Sequence, residues 1–156
     1  NAEDKTYLVP AFSGLGAPYW DSSARAAVIG MSRMTGKAEL VKAALSCIAY
    51  QITDVVKAME ADAGFCLEEL RVDGGPTRNR FLMQLQSDLL GKHVMVPVQE
   101  ELSGIGAAYA AGLTAGVYDE RVFAQISRMT YKPVMNSQKR EESYLGWKHA
   151  VECVLS

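Results

Sequence analysis

Two hydrophobic periodicities alternate along this chain, and the alternation limits the folds open to it. Short apolar runs typical of strands occur at residues 7–9, 26–31, 70–73 and 93–97. Longer stretches with helical spacing occur at 35–61, 79–90, 104–116 and 138–155. Because parallel strands need a crossover connection, this order predicts an α/β layered domain with parallel pairing. At 156 residues the chain is expected to form one domain with a core of its own.

The longest helical stretch carries a clear apolar pattern. Thr35 is placed to cap its N-terminus, Glu39 lies near the positive end of the helix dipole, and Gly64 is expected to end it. Its large apolar residues recur in steps of three and four positions. The sequence therefore predicts that one stripe faces a core, formed by Val41, Leu45, Ile48, Ile52, Val55 and Met59.

A glycine pair stands between the third strand and the helix that follows it. Gly74 and Gly75 let the backbone turn sharply and let a ligand approach without meeting a Cβ atom. The following helix offers free N–H groups at its positive end, and open α/β sheets bind ligands at the carboxyl ends of strands. Asn79 adds an amide that can donate and accept hydrogen bonds. These residues are compatible with a ligand site or with a tight turn that binds nothing.

Two other glycine-rich segments are less specific. Ser103–Gly112 lacks the third glycine and the acidic residue of a dinucleotide fingerprint, so close helix packing is the better interpretation. Gly74 and Gly75 also lack that spacing, which disfavours a dinucleotide-binding oxidoreductase. Gly14–Asp21 places aromatic residues beside a carboxylate. That segment could line a polyol pocket, or it could be a surface loop in which Trp20 covers the core.

Charge and composition exclude several classes of function. The net charge is −2 and the basic residues are scattered, which argues against a nucleic-acid or membrane-surface partner. No apolar run approaches the ~20 residues of a membrane span, and no signal peptide opens the chain. Cys47, Cys66 and Cys153 lack the spacing of metal ligands, and we expect a reduced, cytoplasmic protein. No pair of carboxylates is spaced for acid–base work, so we assign no catalytic and no metal-binding residue.

Taken together, the motifs resemble the FGGY carbohydrate kinases. Several segments of the chain match this family in the family's own order, and together they cover nearly the whole chain. The adenosine motif of the sugar kinase, Hsp70 and actin superfamily is similar to residues 70–90. Other family segments, including those of the glycerol-phosphorylating branch, are similar to residues 9–21, 26–45, 104–112 and 144–154.

The resemblance implies a ribonuclease-H-like nucleotide-binding domain of the actin, hexokinase and Hsp70 superfamily, truncated at its N-terminal strands. Residues 1–156 would be the C-terminal, nucleotide-binding portion of a longer kinase. That portion would pack against the N-terminal kinase domain of the same parent chain, and homo-oligomer formation is left open. The substrate would be a small polyol or sugar, with ATP and Mg²⁺ bound in the cleft between the domains.

The same resemblance assigns roles to individual residues. Gly74, Gly75 and Asn79 match family positions at the adenine nucleotide. The parent would transfer the γ-phosphoryl group of ATP to a hydroxyl of glycerol or a related polyol. The phosphate loops and the catalytic base are expected outside this segment, so the segment alone is not expected to catalyse. The alternatives are a xylulose-type or other FGGY sugar kinase, and a non-catalytic nucleotide-binding paralogue.

Overall fold

Strands and helices alternate through most of the molecule. The computed structural model describes residues 4–98 and 102–156, so six residues of the predicted domain 1–156 lie outside the described ranges. The strands are β1 Tyr7–Val9, β2 Ala27–Ile29, β3 Glu69–Arg71, β4 His93–Pro97 and β5 Arg128–Tyr131. The helices are α1 Lys37–Ala63, α2 Arg80–Leu90, α3 Leu102–Thr114 and α4 Ser137–Glu152, with 3₁₀ turns at Gly75–Arg78 and Glu120–Gln125.

The strands form two small sheets. In the larger sheet, of order β3-β4-β5, the predicted parallel pair is confirmed for β3 and β4, which α2 connects. The parallel pairing that the sequence predicts across α1 is wrong, because β2 lies in the smaller sheet and pairs antiparallel with β1 instead of with β3. β5, which the sequence does not predict, pairs antiparallel with β4. The chain between β1 and β2 is a loop without a helix, so it returns as an antiparallel neighbour.

Strand β5 lies in a stretch for which the sequence pattern predicts no strand. Its residues are Arg128, Met129, Thr130 and Tyr131, of which none is buried. A strand with this composition gives no apolar run and no clear alternation, so periodicity does not reveal it. The antiparallel partner β4 is the feature that holds it in the sheet.

Helix α1 begins and ends at glycines. Gly64 ends it in the left-handed region at φ 72°, as predicted. The N-cap is Gly36, not Thr35. The Thr35 hydroxyl instead accepts a hydrogen bond from the Ser32 N–H at 2.9 Å, while the Glu39 carboxylate accepts from the Gly36 N–H at 3.0 Å. The threonine side chain is thus used by the turn that precedes the helix.

The large apolar stripe of α1 does not face the core of this chain, and that prediction is wrong. Val41 is 51% exposed and Met59 is 58% exposed. The opposite face is buried, and most of its side chains are small or polar: Ala43, Ser46, Cys47, Ala49, Tyr50, Thr53, Asp54 and Val56. Helix α1 packs through this face against α2 and β1. Small residues allow α1 to approach α2 and β1 closely. The prediction relied on large apolar residues and therefore chose the wrong face of the helix.

A buried carboxylate holds three parts of the core together. Asp54 is only 2% exposed, and it accepts hydrogen bonds from Tyr19 Oη at 2.8 Å, Tyr144 Oη at 2.6 Å and Trp147 Nε1 at 2.7 Å. We call these four residues the Asp54 cluster. Burial, and then the hydrogen bond to the carboxylate, raises the pKa of both tyrosine hydroxyls. The cluster ties the Gly14–Asp21 loop and α4 to α1.

Trp147 also anchors α4 by packing. Its side chain is fully buried and its ring stacks on Tyr50, with centroids 5.2 Å apart and planes inclined by 7°.

No helix within residues 4–98 and 102–156 is long and apolar enough to cross a membrane.

Candidate functional site

The loop after β3 has a conformation that requires glycine at one position. Gly74 has a φ of 97°, in the region that side-chain-bearing residues rarely adopt. The carbonyl oxygen of Gly74 accepts hydrogen bonds from Thr77 Oγ1 at 2.7 Å and from the Thr77 N–H at 3.0 Å. These bonds close the 3₁₀ turn Gly75–Arg78, which stands where the sequence predicted only a tight turn. The turn fixes the loop backbone ahead of α2.

Asn79 connects this turn to α2. Its Oδ1 atom accepts a hydrogen bond from the Leu82 N–H at 3.1 Å, so Asn79 is the N-cap of the helix. From the sequence alone, both the oxygen and the NH₂ group of this amide are candidates for a ligand contact. Because the oxygen already caps α2, the NH₂ group is the part that suits a ligand contact.

A cleft of about 500 Å³ opens at the carboxyl ends of β3 and β4. We call it the Asp73 cleft. Its polar wall comes from the loop after β3 and from the start of α3, and its apolar wall comes from the ends of β4 and from β5. The lining residues are Asp73, Gly74, Gly75, Thr77, Arg78, Val96, Pro97, Val98, Leu102, Ser103 and Met129. An apolar wall with a few convergent polar groups is typical of a small-molecule site.

The cleft brings together two of the three residues proposed as a site. Gly74 and Gly75 line it, whereas Asn79 is not among the lining residues and lies one position beyond Arg78. A Cβ atom at Gly75 would meet no heavy atom within 4 Å. The backbone is therefore open at Gly75, and the fold can accept a side chain at this position.

Several lining residues were missed by sequence reasoning. Thr77 gives a signal only in retrospect, as a hydroxyl two positions after the glycine pair. Met129 lies on β5, which was not predicted. Ser103 lies inside the first turn of α3, which starts at Leu102. In that position the Ser103 side chain lines the cleft.

The Gly14–Asp21 loop borders an open depression of about 430 Å³, which Tyr19, Trp20 and Asp21 line together with Leu155 and Ser156. Tyr19 donates to Asp54, and Asp21 accepts from the Ser23 N–H at 2.8 Å and the Ser156 N–H at 3.0 Å. Hydrogen bonds from Ser23 and then Ser156 hold the pKa of Asp21 well below its usual range. Trp20 is 78% exposed, so the alternative that it covers the core is wrong, while the polyol pocket stays a prediction.

Close packing of the α3 glycines occurs at one position. A Cβ atom at Gly112 would collide with the Tyr118 ring, whereas one at Gly104 or Gly106 would meet nothing within 4 Å. None of the residues of α3 is buried. The packing interpretation therefore holds for Gly112 and is wrong, within the described structure, for the other two glycines.

The chain is similar to a known family over most of its length. Residues 2–115 match the model of the FGGY family of carbohydrate kinases, C-terminal domain. The chain belongs to the FGGY family of carbohydrate kinases. A glycerol kinase of Geobacillus sp. (strain WCH70) is 48% identical over 160 residues, which is 100% of this chain and 32% of that protein. A glycerol kinase of Petrotoga mobilis is 51% identical, covering 94% of this chain and 30% of that protein.

Solved structures of FGGY kinases show the same fold. Plasmodium falciparum glycerol kinase with ADP superposes with a TM-score of 0.88 at 35% identity, covering 98% of this chain and 31% of that one. A xylulose kinase of Lactobacillus acidophilus superposes with a TM-score of 0.76 at 19% identity, covering 95% and 30%. The predicted fold class is confirmed: the chain is an α/β, ribonuclease-H-like part of an actin- and hexokinase-type domain. The chain spans about a third of the length of these relatives.

Proposed function

We propose that this chain forms the adenine-nucleotide side of an ATP-dependent kinase. The parent enzyme transfers the γ-phosphoryl group of ATP to a hydroxyl of glycerol or a related polyol. The observation that carries the proposal is the Gly74–Gly75 loop, which lines the Asp73 cleft at the carboxyl end of β3. Relatives about half identical to the chain are glycerol kinases, which supports the polyol over a larger sugar.

The residues present fit a nucleotide. The open backbone at Gly75 lets a ligand lie against the loop, and Val96, Val98 and Met129 offer apolar surface to a flat base. The Asn79 NH₂ group and the start of α2 supply donors beside that loop. Gly74, Gly75 and Asn79 are therefore our nucleotide-binding residues.

Most of the catalytic assembly would come from outside this chain. Within the described residues, no three His, Cys, Asp or Glu side chains come together as a metal-binding group. Mg²⁺ would be held mainly by the phosphates of ATP and by side chains of the N-terminal kinase domain. The base for the substrate hydroxyl and the phosphate loops would lie in parts of the parent chain that precede this segment, the first phosphate loop in the N-terminal domain. The isolated chain is expected to bind ATP weakly and not to catalyse, and the parent is expected in the cytoplasm.

Substitution of Gly75 tests the nucleotide site in the parent enzyme. Gly75→Val should leave the fold intact and raise the Kd for ATP at least tenfold, about 1.4 kcal/mol, because a branched side chain occupies space that the nucleotide needs. Isothermal titration calorimetry measures this. Gly16→Val is the matched control, since a Cβ atom at Gly16 also meets nothing within 4 Å and this glycine is not among the residues lining the cleft.

Three outcomes would count against the proposal. An unchanged ATP Kd in folded Gly75→Val would remove the loop from the nucleotide site. If kcat/KM for xylulose exceeded that for every short polyol by about tenfold or more, the assignment of glycerol as acceptor would be wrong. The family assignment would remain. A coupled ADP-release assay of the 156-residue chain beside the parent completes the test. Turnover comparable to the parent's would place the catalytic groups inside this chain.

A further inference from the structure

Helix α1 has two faces suited to burial, and this chain buries one of them. The buried face includes Ala43, Cys47 and Tyr50. At about 100° per residue, Val41, Ile48 and Met59 lie on the opposite side of the helix, and each is at least 38% exposed. A helix that is apolar on both faces is typical of a position between two layers of structure.

The exposed side of α1 continues into a groove with neighbouring α2. Phe81, at the start of α2, is 44% exposed and faces the groove together with Ala38, Val41 and Leu45. The groove surface is almost wholly apolar, and Lys37 and Lys42 are its charged members. Exposed contiguous apolar surface of this kind marks an interaction site. We call Ala38, Val41, Leu45, Ile48 and Met59 of α1, together with the neighbouring Phe81 of α2, the outer face of α1.

We propose that a segment of the parent polypeptide outside these 156 residues packs on the outer face of α1. That segment would present apolar side chains to the groove and an acidic side chain to Lys37, since Lys42 already pairs with Asp4 at 3.9 Å. The inference deepens the partner named above and rests on the chain being part of a longer kinase. It does not depend on the nucleotide site.

Two observations favour the parent over a second copy of this chain. First, about two thirds of the length of the glycerol kinase relatives lies outside the aligned region, so ample chain exists to cover the face. Second, β3 is an edge strand that pairs only with β4 among the described strands. An edge strand offers unpaired N–H and C=O groups that a further strand would satisfy. The open edge of β3 is thus a second surface for which further parts of the parent chain would supply partners.

Thiol accessibility tests the proposal in both forms of the protein. Val41→Cys and Met59→Cys are made in the parent and in the 156-residue chain, and alkylation by iodoacetamide is followed by peptide mass spectrometry. Val134→Cys is the control, because Val134 is an exposed apolar residue, 77% accessible, away from this helix. Both α1 cysteines should react at least about tenfold more slowly in the parent than in the short chain, since a buried thiol is inert. The control should react at similar rates in both.

Two results would overturn the proposal. One is alkylation of the α1 cysteines in the parent as fast as in the short chain. The other is protection in the short chain that grows with its concentration, which would identify a second copy as the occupant. An ATP Kd that Gly75→Val leaves unchanged would end the nucleotide proposal alone, so the two failures are distinguishable.

Discussion

Two aspartates mark two very different regions of this molecule. Asp54 is buried and receives three hydrogen bonds from side chains that come from a loop and from α4. Asp73 is exposed and lines an open cleft. The Asp54 cluster is closed to ligands because every donor around the carboxylate belongs to the chain itself. The Asp73 cleft has an open backbone at Gly75 and walls from several elements.

This difference separates residues that maintain the fold from residues that are available for binding. A buried carboxylate is tolerated only where donors compensate its lost hydration. An exposed carboxylate beside a glycine loop needs no such compensation. We therefore expect substitutions in the Asp54 cluster to change the free energy of unfolding, and substitutions in the Asp73 cleft to change ligand affinity.

The largest expected effect is that of Asp54→Ala. This change leaves the Trp147 Nε1 donor fully buried without an acceptor, and deprives both tyrosine hydroxyls of their partner. We expect the free energy of unfolding to fall by about 3 kcal/mol, because each buried unpaired donor costs about 1–3 kcal/mol and the tyrosines can turn toward water. Urea unfolding of the chain measures this loss.

Asp62→Ala is the matched control for that change, since Asp62 is an exposed aspartate on the same helix. It should alter the free energy of unfolding by no more than about 0.5 kcal/mol. If Asp54→Ala and Asp62→Ala lowered the free energy of unfolding equally, the hydrogen bonds to Asp54 would not contribute to stability.

A change of intermediate size in the free energy of unfolding, which depends on pH, is expected at the ion pair between Glu60 and Lys92. Glu60, near the end of α1, pairs with Lys92, just before β4, at 2.8 Å, and both side chains are about 15% exposed. The hydrogen bond from Lys92 is the main reason that the pKa of Glu60 lies below its usual 4.5. This stabilisation is present above that value and is lost as the pH falls through the lowered pKa.

Glu60→Gln should therefore reduce stability at pH 7, and the deficit relative to the unmodified chain should shrink below about pH 4.5. Urea unfolding at a series of pH values follows this difference. Glu68→Gln, at an exposed glutamate, is the control and should give a small deficit at every pH. If the loss of stability in Glu60→Gln did not change with pH, the charge of the Glu60 carboxylate would contribute nothing to the ion pair with Lys92.

The smallest effect on stability is expected in the Asp73 cleft itself. Asp73→Asn keeps the shape of an exposed side chain, so the free energy of unfolding should change by no more than about 0.5 kcal/mol. Thermal and urea unfolding of the chain check this value. A loss as large as that of Asp54→Ala would remove the distinction between the two regions.

Sequence reasoning predicted the features that depend on local signals. The strand at His93–Pro97, the glycine end of α1 and the helix after Asn79 follow from short-range patterns, and all three are present. The glycine pair was also recognised as a conformational requirement. The structure assigns that requirement to Gly74, with its positive φ, and leaves Gly75 open.

Features that depend on partners distant in sequence were not predicted. The face of α1 that is buried could not be chosen from periodicity, because both faces have apolar residues and the layer that would cover one of them is not in this chain. The role of Asp54 depends on Tyr144 and Trp147, which lie 90 and 93 positions away. Strand β5 has an unremarkable composition and is held by its neighbour β4.

The long separations around Asp54 have a consequence for how the chain folds. Tyr19 precedes α1 in the sequence and Tyr144 and Trp147 follow it, yet all three donate to one carboxylate. In addition, Tyr7 Oη donates to the Ser143 carbonyl oxygen across 136 positions. Contacts of high sequence separation close slowly, because the entropy of a large loop is lost before the contact compensates it. We expect Asp54 to remain hydrated until α4 docks. Docking of α4 would then be a late step of folding, which removes water from the carboxylate and replaces it with the Trp147 indole and the Tyr144 phenol.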